Sequence, residues 1–365
     1  MVMSISTYAD SLQNSFKNAN FEGLLRMGYQ SHHTNKNTKD ELAMGVKIHM
    51  ETAPYYGIQI GTTLFTSQGN GKKDYEGVPF FDENNDNYTT LALAYLKGTY
   101  GDTIFILGRQ TLETPFSDSD DIGMVPNTFE AFTLINKSIP DTNIFFSQVQ
   151  KWSGVDSENP SKFNEINAGH GMQIFGISYE GFTKTTLSTW FYNLSDEVKI
   201  TYLEVNYEDE TEKFTYAASL QYAFQNYDND KSSTIYGAAL SMGVKQIGLT
   251  TTVSYNRTTG IAADNFFGGG PFFTNAEHNT LKEAGPDGNT ILYTLEWDAV
   301  VIGLDGLSLT VNIDAHTGKK DYASEYDIGI EYVYSDHINL AAIYSDIDDG
   351  DESFSNLRVF ANYTF

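Results

Sequence analysis

Apolar and polar residues alternate with a period of two along much of this chain. In the clearest run, residues 42–50, one face carries Leu42, Met44, Val46, Ile48 and Met50, and the other carries Ala43, Gly45, Lys47 and His49. The alternation recurs at residues 214–224, 247–255, 307–315, 326–334 and 357–365. Alternation over eight or more residues predicts β-strands that have one apolar and one polar face.

The connections between these runs alternate between short turns and longer polar links. Short turns are predicted near residues 52–55, 99–102, 138–142, 181–183, 208–212, 245–246 and 335–337, with a somewhat longer one at 298–306. Longer links are predicted at 31–39, 66–87, 111–128, 153–169, 226–232, 257–289, 317–323 and 346–353, and the link at 194–197 departs from the trend because it is short. With about 18 predicted strands, this arrangement is typical of an antiparallel transmembrane β-barrel of the bacterial outer membrane, whereas alternation alone also fits a soluble sandwich.

Composition agrees with a barrel in the outer membrane of a Gram-negative bacterium. The chain has no apolar run of about 18 residues, so a transmembrane helix is not expected. Its 24 tyrosines and 24 phenylalanines would supply the aromatic girdles of a barrel. A net charge of −26 with only 22 basic residues argues against nucleic acid as a partner. The chain contains no cysteine and so needs no disulfide.

The two ends of the chain carry different signals. Residues 1–20 lack the basic and apolar regions of a signal peptide, and we interpret them as an N-terminal periplasmic tail with a short helix within residues 10–20. Residues 21–365 are predicted to form one barrel domain. Phe365 ends an alternating aromatic strand, which resembles the C-terminal signal of bacterial outer-membrane barrels.

The connection at residues 111–128 does not look like an ordinary solvated loop. Pro115 and Pro126 fix the backbone φ angle, so the loop has a defined shape. The sequence GRQ at 108–110, the pair Thr114-Pro115, Asp121 and the run MVPNTFE at 124–130 resemble the OprD family of outer-membrane porins. The resemblance implies that this third long connection folds into the lumen and narrows it. It also implies a porin that allows passive, substrate-biased diffusion of small polar solutes or ions.

The sequence departs from the family pattern at one position of this loop. Where the family has Asp-x-Arg, this chain has Asp121, Ile122 and Gly123, so the guanidinium that would help to bind carboxylates is missing. The whole chain contains only four arginines, too few for the arginine ladder that is attributed to the family. Lysines would replace them only as point charges. The family's preference for carboxylate-bearing substrates is therefore in doubt here.

Parity identifies candidate pore-lining residues, because apolar side chains that face lipid leave the other face to the lumen. The predicted pore-lining residues are Arg26, Lys47, His49, Lys199, Asp314, Glu331 and Arg358, together with Glu51, His316, Glu325 and Asp327. Arg109 has the parity of Phe105 and Leu107, but we place it at the constriction because it lies at the root of the loop. Asp118, Asp120 and Asp121 give the loop a negative edge, which favours cations or neutral solutes.

Other functions receive less support from the sequence. No histidine pair has a metal-ligand spacing, and no nucleophile with a base stands out, so we expect neither an enzyme nor a cofactor or metal. The acidic runs at 82–86 and 346–352 are interpreted as solvated loops, and the glycine run at 268–270 as part of an external loop. A surface-exposed adhesive or structural barrel with little channel activity is the alternative. Expected partners are outer-membrane lipid, lipopolysaccharide and small polar solutes or ions, with the chain a monomer or a homotrimer.

Overall fold

The structure, a computed structural model, describes residues 9–71, 78–318, 323–349 and 352–365. These residues contain one α-helix, α1 (Leu12–Lys17), and short 3₁₀ turns at Asn167–Gly169, Lys245–Ile247 and Ala299–Ile302. The strands are β1 (Asn20–Thr34), β2 (Thr38–Glu51), β3 (Ile58–Gly69), β4 (Tyr88–Tyr100), β5 (Thr103–Gln110), β6 (Thr128–Asn136), β7 (Thr142–Ser153), β8 (Asn164–Glu165), β9 (Met172–Phe182), β10 (Thr185–Leu194), β11 (Val198–Glu210), β12 (Phe214–Tyr227), β13 (Ser232–Val244), β14 (Leu249–Gly260), β15 (Asn289–Asp298), β16 (Leu307–Thr317), β17 (Ser324–Val333), β18 (Ile338–Asp348) and β19 (Ser353–Thr364).

Eighteen of these strands, all except the two-residue β8, form one closed antiparallel barrel. Each strand pairs with the next along the chain, β7 pairs with β9, and β19 returns to pair with β1 from Leu24↔Thr364 to Thr34↔Phe354. The terminal residue completes this closure, because Phe365 N–H donates to Gly23 O at 2.9 Å and Gly23 N–H donates to Phe365 O at 2.8 Å. The predicted barrel of about 18 strands is confirmed.

The alternation in sequence becomes an outer and an inner face of the barrel. Leu25, Met27, Leu42 and Met44 keep between 46% and 64% of their surface exposed, and they lie on the outer face. Residues of the opposite parity, such as Arg26, lie on the inner face. Within the described residues, no helix has the length and apolar character needed to span a membrane.

Several predicted links are shorter than expected because the strands continue into them. The link predicted at 31–39 is reduced to three residues between Thr34 and Thr38. The connections that remain long are 70–87, 111–127, 154–171 and 261–288. Residues 72–77, 319–322 and 350–351, which belong to links predicted above, lie outside the described residues, as do residues 1–8 of the predicted tail.

Helix α1 lies within the region where a short helix was predicted. Ser11 caps it by accepting the N–H of Asn14 at 3.2 Å. Ser15 binds the β2–β3 turn in both directions, because its hydroxyl donates to Ala53 O and its carbonyl accepts Ala53 N–H at 3.1 Å. The helix is therefore attached to the end of the barrel that carries the short turns.

Candidate pore constriction

Phe116 is the buried centre of the segment 111–127, which we call the crossing loop. Its ring is 0% exposed and makes edge-to-face contacts with Tyr192 on β10 at 5.5 Å and with Tyr202 on β11 at 5.8 Å. It also contacts Phe266 and Phe272 of the connection 261–288, each at 5.8 Å between ring centroids. Edge-to-face aromatic pairs add to the burial energy. The first half of the crossing loop is thus fixed to one wall of the barrel.

Both prolines lie at points where the crossing loop changes direction. Thr114 and Ser117 exchange backbone hydrogen bonds of 2.9 and 3.2 Å, and Pro115 occupies the second position of this tight turn. Pro126 precedes Asn127, whose N–H donates to Ser119 O at 2.7 Å and so brings the two arms of the loop together. The loop is shaped by its own backbone as well as by the wall.

The second half of the crossing loop is fixed to strand β1. The guanidinium of Arg26 donates to both carboxylate oxygens of Asp121, at 2.6 and 2.9 Å, and to Gly123 O at 2.7 Å. Next to this fork, Met124 and Val125 are buried in a second apolar cluster with Phe80 and Phe81 of the connection 70–87 and with residues of β2, β3 and β4. Bidentate Arg–carboxylate pairs are both strong and specific in direction.

The two attachment points are far apart around the barrel. Tyr202 belongs to β11 and Arg26 to β1, and these strands are half way round the ring of 18 from one another. Between them the loop also pairs with the connection 261–288, since Asp118 N–H donates to Phe267 O at 3.1 Å and Phe267 N–H donates to Phe116 O at 3.2 Å. The crossing loop therefore contacts opposite walls of the barrel.

Three carboxyl groups lie close together where the crossing loop meets two other connections. Burial raises the pKa of Asp118 to about 6, although its carboxylate accepts the N–H of Gly269 at 3.3 Å. Burial and the nearby carboxyl group of Asp156 raise the pKa of Asp120. Gly268 adopts φ +147° directly against Asp118, where a side chain would collide with the carboxylate. Part of this acidic edge is therefore protonated near neutral pH.

Two cavities meet at the crossing loop. The cavity on the long-loop side has a volume of about 470 Å³, and the cavity on the short-turn side about 330 Å³. Ile122, Ile343 and Arg358 line both of them, so these three residues surround the place where the cavities adjoin. Asp120, Asp156 and Glu277 line the first cavity, and Asp121 and Glu331 line the second.

The remaining charges predicted for the lumen lie on the inner face with different partners. Arg358 pairs with Glu277 of the connection 261–288. Lys47 lies 5.9 Å from the ring centroid of Phe65, and His49 Nδ1 is 2.7 Å from Thr63 Oγ1. Nearer the short turns, Glu51 contacts Lys97 Nζ at 3.3 Å and accepts the hydroxyl of Tyr95 at 2.7 Å, and Glu331 accepts Asn339 Nδ2 at 2.6 Å.

Asp314 is on the inner face but does not line either cavity, because the connection 261–288 covers it. It contacts His316, whose Nδ1 is 2.8 Å from the hydroxyl of Thr290. This hydroxyl, imidazole and carboxyl sequence has the order of a catalytic triad. All three residues are 0–1% exposed, however, and a substrate has no access to them. Among the described residues, no group of three or more His, Asp or Glu is arranged to hold a metal ion.

The prediction that Arg109 lies at the constriction is wrong. Arg109 pairs in register with Glu130, and its Nε lies 3.5 Å from the Glu130 carboxylate, with Phe163 stacked 4.2 Å from the guanidinium. Leu107, which has the same parity, is 54% exposed on the outer face. The side chain follows the parity of its strand and points outward, although the loop that it precedes turns inward.

The assignment of Lys199 to the lumen is also wrong, because the polarity of the wall is inverted there. Val198 and Ile200 are 0% exposed on the inner face, while Lys199 between them is exposed on the outer face. The inner face of β9–β13 is apolar near the long loops, because Phe116, Phe272 and Leu281 of these loops pack on it. Sequence reasoning missed this inner apolar wall, since it assigned every apolar face to lipid.

Replacing Phe116 with alanine should release the first half of the crossing loop. Truncation of a fully buried phenylalanine typically costs about 3–5 kcal/mol, and here the loss falls on one loop. We expect the single-channel current of Phe116→Ala to fluctuate between levels that the wild type does not visit. Phe175→Ala, which removes an outward ring that is 43% exposed, is the matched control and should leave the current steady. A steady Phe116→Ala current would show that the loop is held in another way.

Comparison with known proteins identifies the family. Residues 55–336 match the family model described as outer membrane porin, OprD family. The chain belongs to the OprD family of outer membrane porins. Porins of this family are channels of the Gram-negative outer membrane, so the chain is an outer-membrane channel for the diffusion of small solutes, and it lies in outer-membrane lipid. The membership favours the channel over the adhesive alternative.

Solved structures show the same fold at low sequence identity. OccK8 (OprE) of Pseudomonas aeruginosa superposes with a TM-score of 0.83 at 14% identity, covering 96% of this chain and 99% of that one. A BenF-like porin from Pseudomonas fluorescens Pf-5 gives 0.83 at 16% identity, with 96% and 99% covered. OpdK of Pseudomonas aeruginosa gives 0.80 at 17% identity, also with 96% and 99% covered. No curated protein matches the chain.

Proposed function

We propose that this porin selects small cationic or neutral polar solutes at a constriction formed by the crossing loop. The narrow point lies between Ile122 on the loop and Ile343 and Arg358 on the wall. The observation that carries the proposal is that these three residues line both cavities. A solute that passes from one cavity to the other has to pass them.

The charges around this point favour cations. Asp120, Asp156 and Glu277 line the first cavity, and Asp121 and Glu331 line the second. The two arginines at the constriction already contact acids, since Arg26 binds Asp121 and Arg358 binds Glu277. Their positive charge is therefore offset locally, whereas the acids outnumber them. Fixed charges at a narrow, poorly hydrated point sort solutes by sign.

At this site the chain differs from family members that bind carboxylates. OpdK of Pseudomonas aeruginosa, a structural neighbour with a TM-score of 0.80 and 17% identity, was solved with vanillate. Here Gly123 stands where the family pattern has an arginine, and its would-be Cβ lies 3.0 Å from a methyl group of Val155. A guanidinium that could bind a carboxylate is therefore missing at this position, and Val155 packs closely against it.

The selectivity should depend on pH through the crossing loop. Because the pKa of Asp118 is raised to about 6 and that of Asp120 to about 8, Asp120 loses negative charge first and Asp118 follows as the pH falls towards 5. We expect the cation preference, measured as the reversal potential across a salt gradient, to grow from about pH 5 to about pH 9. The variant Asp118→Asn with Asp120→Asn should show a flatter profile. Anion selectivity at about pH 8 would contradict the proposal.

Lipopolysaccharide is proposed as the outer-leaflet partner. Arg109 and Lys199 lie on the outer face at the loop end of the barrel, where basic side chains would meet lipid phosphates. Replacing both with glutamine should reduce the lipopolysaccharide that remains bound during purification in detergent, while Lys213→Gln at the short-turn end serves as control.

Mass measurement in detergent would distinguish the monomer from the homotrimer.

A further inference from the structure

A second group of titratable side chains lies under the connection 261–288, apart from the acids of the constriction. Asp314, His316, Glu325 and Asp327 project from the inner faces of β16 and β17, and each is 0–1% exposed. Asp314 and Glu325 are register partners on the two strands. We call these four residues the buried acid cluster.

The buried acid cluster holds the connection 261–288 through its backbone. The carboxylate of Glu325 accepts the N–H groups of two consecutive residues, His278 at 2.9 Å and Asn279 at 2.6 Å. Successive amides that converge on one carboxylate form an anion-binding nest. Glu325 therefore attaches loop segment 276–280 to β17, in addition to the pair of Glu277 with Arg358 on β19.

The other side of segment 276–280 faces the permeation path. Ala276, Glu277, His278 and Thr280 line the cavity of about 470 Å³. Glu277 also pairs with Arg358, which lines both cavities at the constriction. A displacement of this segment would separate that pair and widen the path beside it.

The charges in and around the cluster do not balance. Of the elements packed on Glu325, β16 contributes Asp314 and His316, β17 contributes Asp327, and β18 presents the uncharged Ser345 and Ile347. The connection 261–288 adds His278 and Glu283, the β18–β19 link adds Asp349, and β1 adds His32. Burial lowers the pKa of His278, so that residue is neutral near pH 7. The imidazole of His316 is in hydrogen-bond contact with the carboxyl group of Asp314.

Two oxygens of the cluster lack a hydrogen-bond partner among the described residues. They are Oδ1 of Asp314 and Oδ1 of Asp327, both buried. A buried carboxylate without a partner is costly, and neighbouring carboxyl groups in such a site retain protons that they share. With three carboxyl groups packed beside the imidazole of His316, the arrangement favours bound protons.

We infer that the buried acid cluster is a proton-operated latch for the connection 261–288. The latch is closed while Glu325 and Asp327 share a proton, with Glu325 holding the amides of segment 276–280. When both carboxyl groups ionise at higher pH, their repulsion in the buried site is relieved by release of the segment. The porin then conducts more, because Glu277 moves away from Arg358 and the path widens.

Hydrogen exchange of the wild-type protein in detergent micelles tests the latch directly. Protection factors are corrected for the intrinsic pH dependence of exchange. We expect those of the His278 and Asn279 amides to fall about tenfold or more between about pH 6 and about pH 9. The amides of β12 should keep theirs. Constant protection at the two loop positions over this range would overturn the proposal without any variant.

Variants and single-channel recording complete the test. Asp327→Asn carries the proton-like state permanently, so its loop protection and its open probability should no longer change with pH. Asp346→Asn on β18, an exposed and outward Asp→Asn change, should behave as the wild type. If Asp327→Asn retained the wild-type pH response, the latch would be excluded. Reversal potential, which reports the charges of the crossing loop, is recorded on the same channels, so failure of the latch and failure of the proposed selectivity are separate outcomes.

Discussion

Replacing residues 120–126 with two glycines should raise the single-channel conductance of this porin several-fold. The current through a pore is limited by its narrowest part, and Ile122 of this segment lines both cavities while Asp121 lines the second. Without this part of the crossing loop, the cavities of about 470 and 330 Å³ would join. The measurement is conductance of the purified protein in a planar bilayer.

The design leaves the anchored half of the crossing loop in place. Ser119 and Asn127 are already joined by a backbone hydrogen bond of 2.7 Å, so a two-residue turn closes the gap between them. Phe116 keeps its contacts with Tyr192 and Tyr202. The full-length control Asp118→Asn with Asp120→Asn removes two carboxylates but keeps the Arg26–Asp121 pair that anchors the loop, and it should change selectivity with little change in conductance. Equal conductance for the shortened protein and the wild type would exclude the crossing loop as the constriction.

The barrel was predictable because its signal is local and repeated. Alternation along β2, β12 and β19 fixes which residues share a face, and strict pairing with neighbours carries that parity around the ring. For this reason parity alone placed Arg26 and Arg358 on the inner face. The ends of the strands were less predictable, because a strand can continue beyond the membrane, where its residues are polar on both faces. Strand β1, for example, continues to Thr34.

The errors come from places where the lumen is filled by protein rather than by water. The strand parity of Arg109 correctly indicates an outward side chain, but the prediction gave more weight to its closeness in sequence to the crossing loop. Lys199 was misplaced because Val198 and Ile200 were taken as lipid-facing, whereas Phe116 and Phe272 pack on that inner wall. Contacts between loops that are 150 residues apart leave no periodic trace in the sequence.

The same reason explains which parts of the constriction were missed. The three aspartates of the crossing loop stand out in the sequence, but Asp156 and Glu277 belong to other connections. They meet the loop only through tertiary contacts, such as Asn127 Nδ2 donating to the Asp156 carboxylate at 2.6 Å. An excess of acids around Arg358 is therefore a property of the folded chain, and it sets the expectation for selectivity.

Replacing Gly123 with arginine should reduce or reverse the cation preference of the channel. The substitution restores the family's Asp-x-Arg pattern and adds a positive charge beside Val155, which lines the first cavity. At an effective dielectric constant of about 20, charges several ångströms apart interact by a few kcal/mol at most, and even about 1 kcal/mol changes a permeability ratio several-fold. The reversal potential in a salt gradient should move towards the anion limit.

Space around Gly123 decides how this variant has to be controlled. A Cβ there would lie 3.0 Å from Val155 Cγ2 and 3.5 Å from Pro79 O, so the Val155 side chain has to shift by a few tenths of an ångström. Gly123→Gln imposes the same shift without the charge, and we expect it to reduce conductance but to leave the sign of selectivity unchanged. If glutamine and arginine moved the reversal potential equally, the effect would be steric. The electrostatic argument requires the two variants to differ, so an equal shift would show that the charge at this position does not set the selectivity.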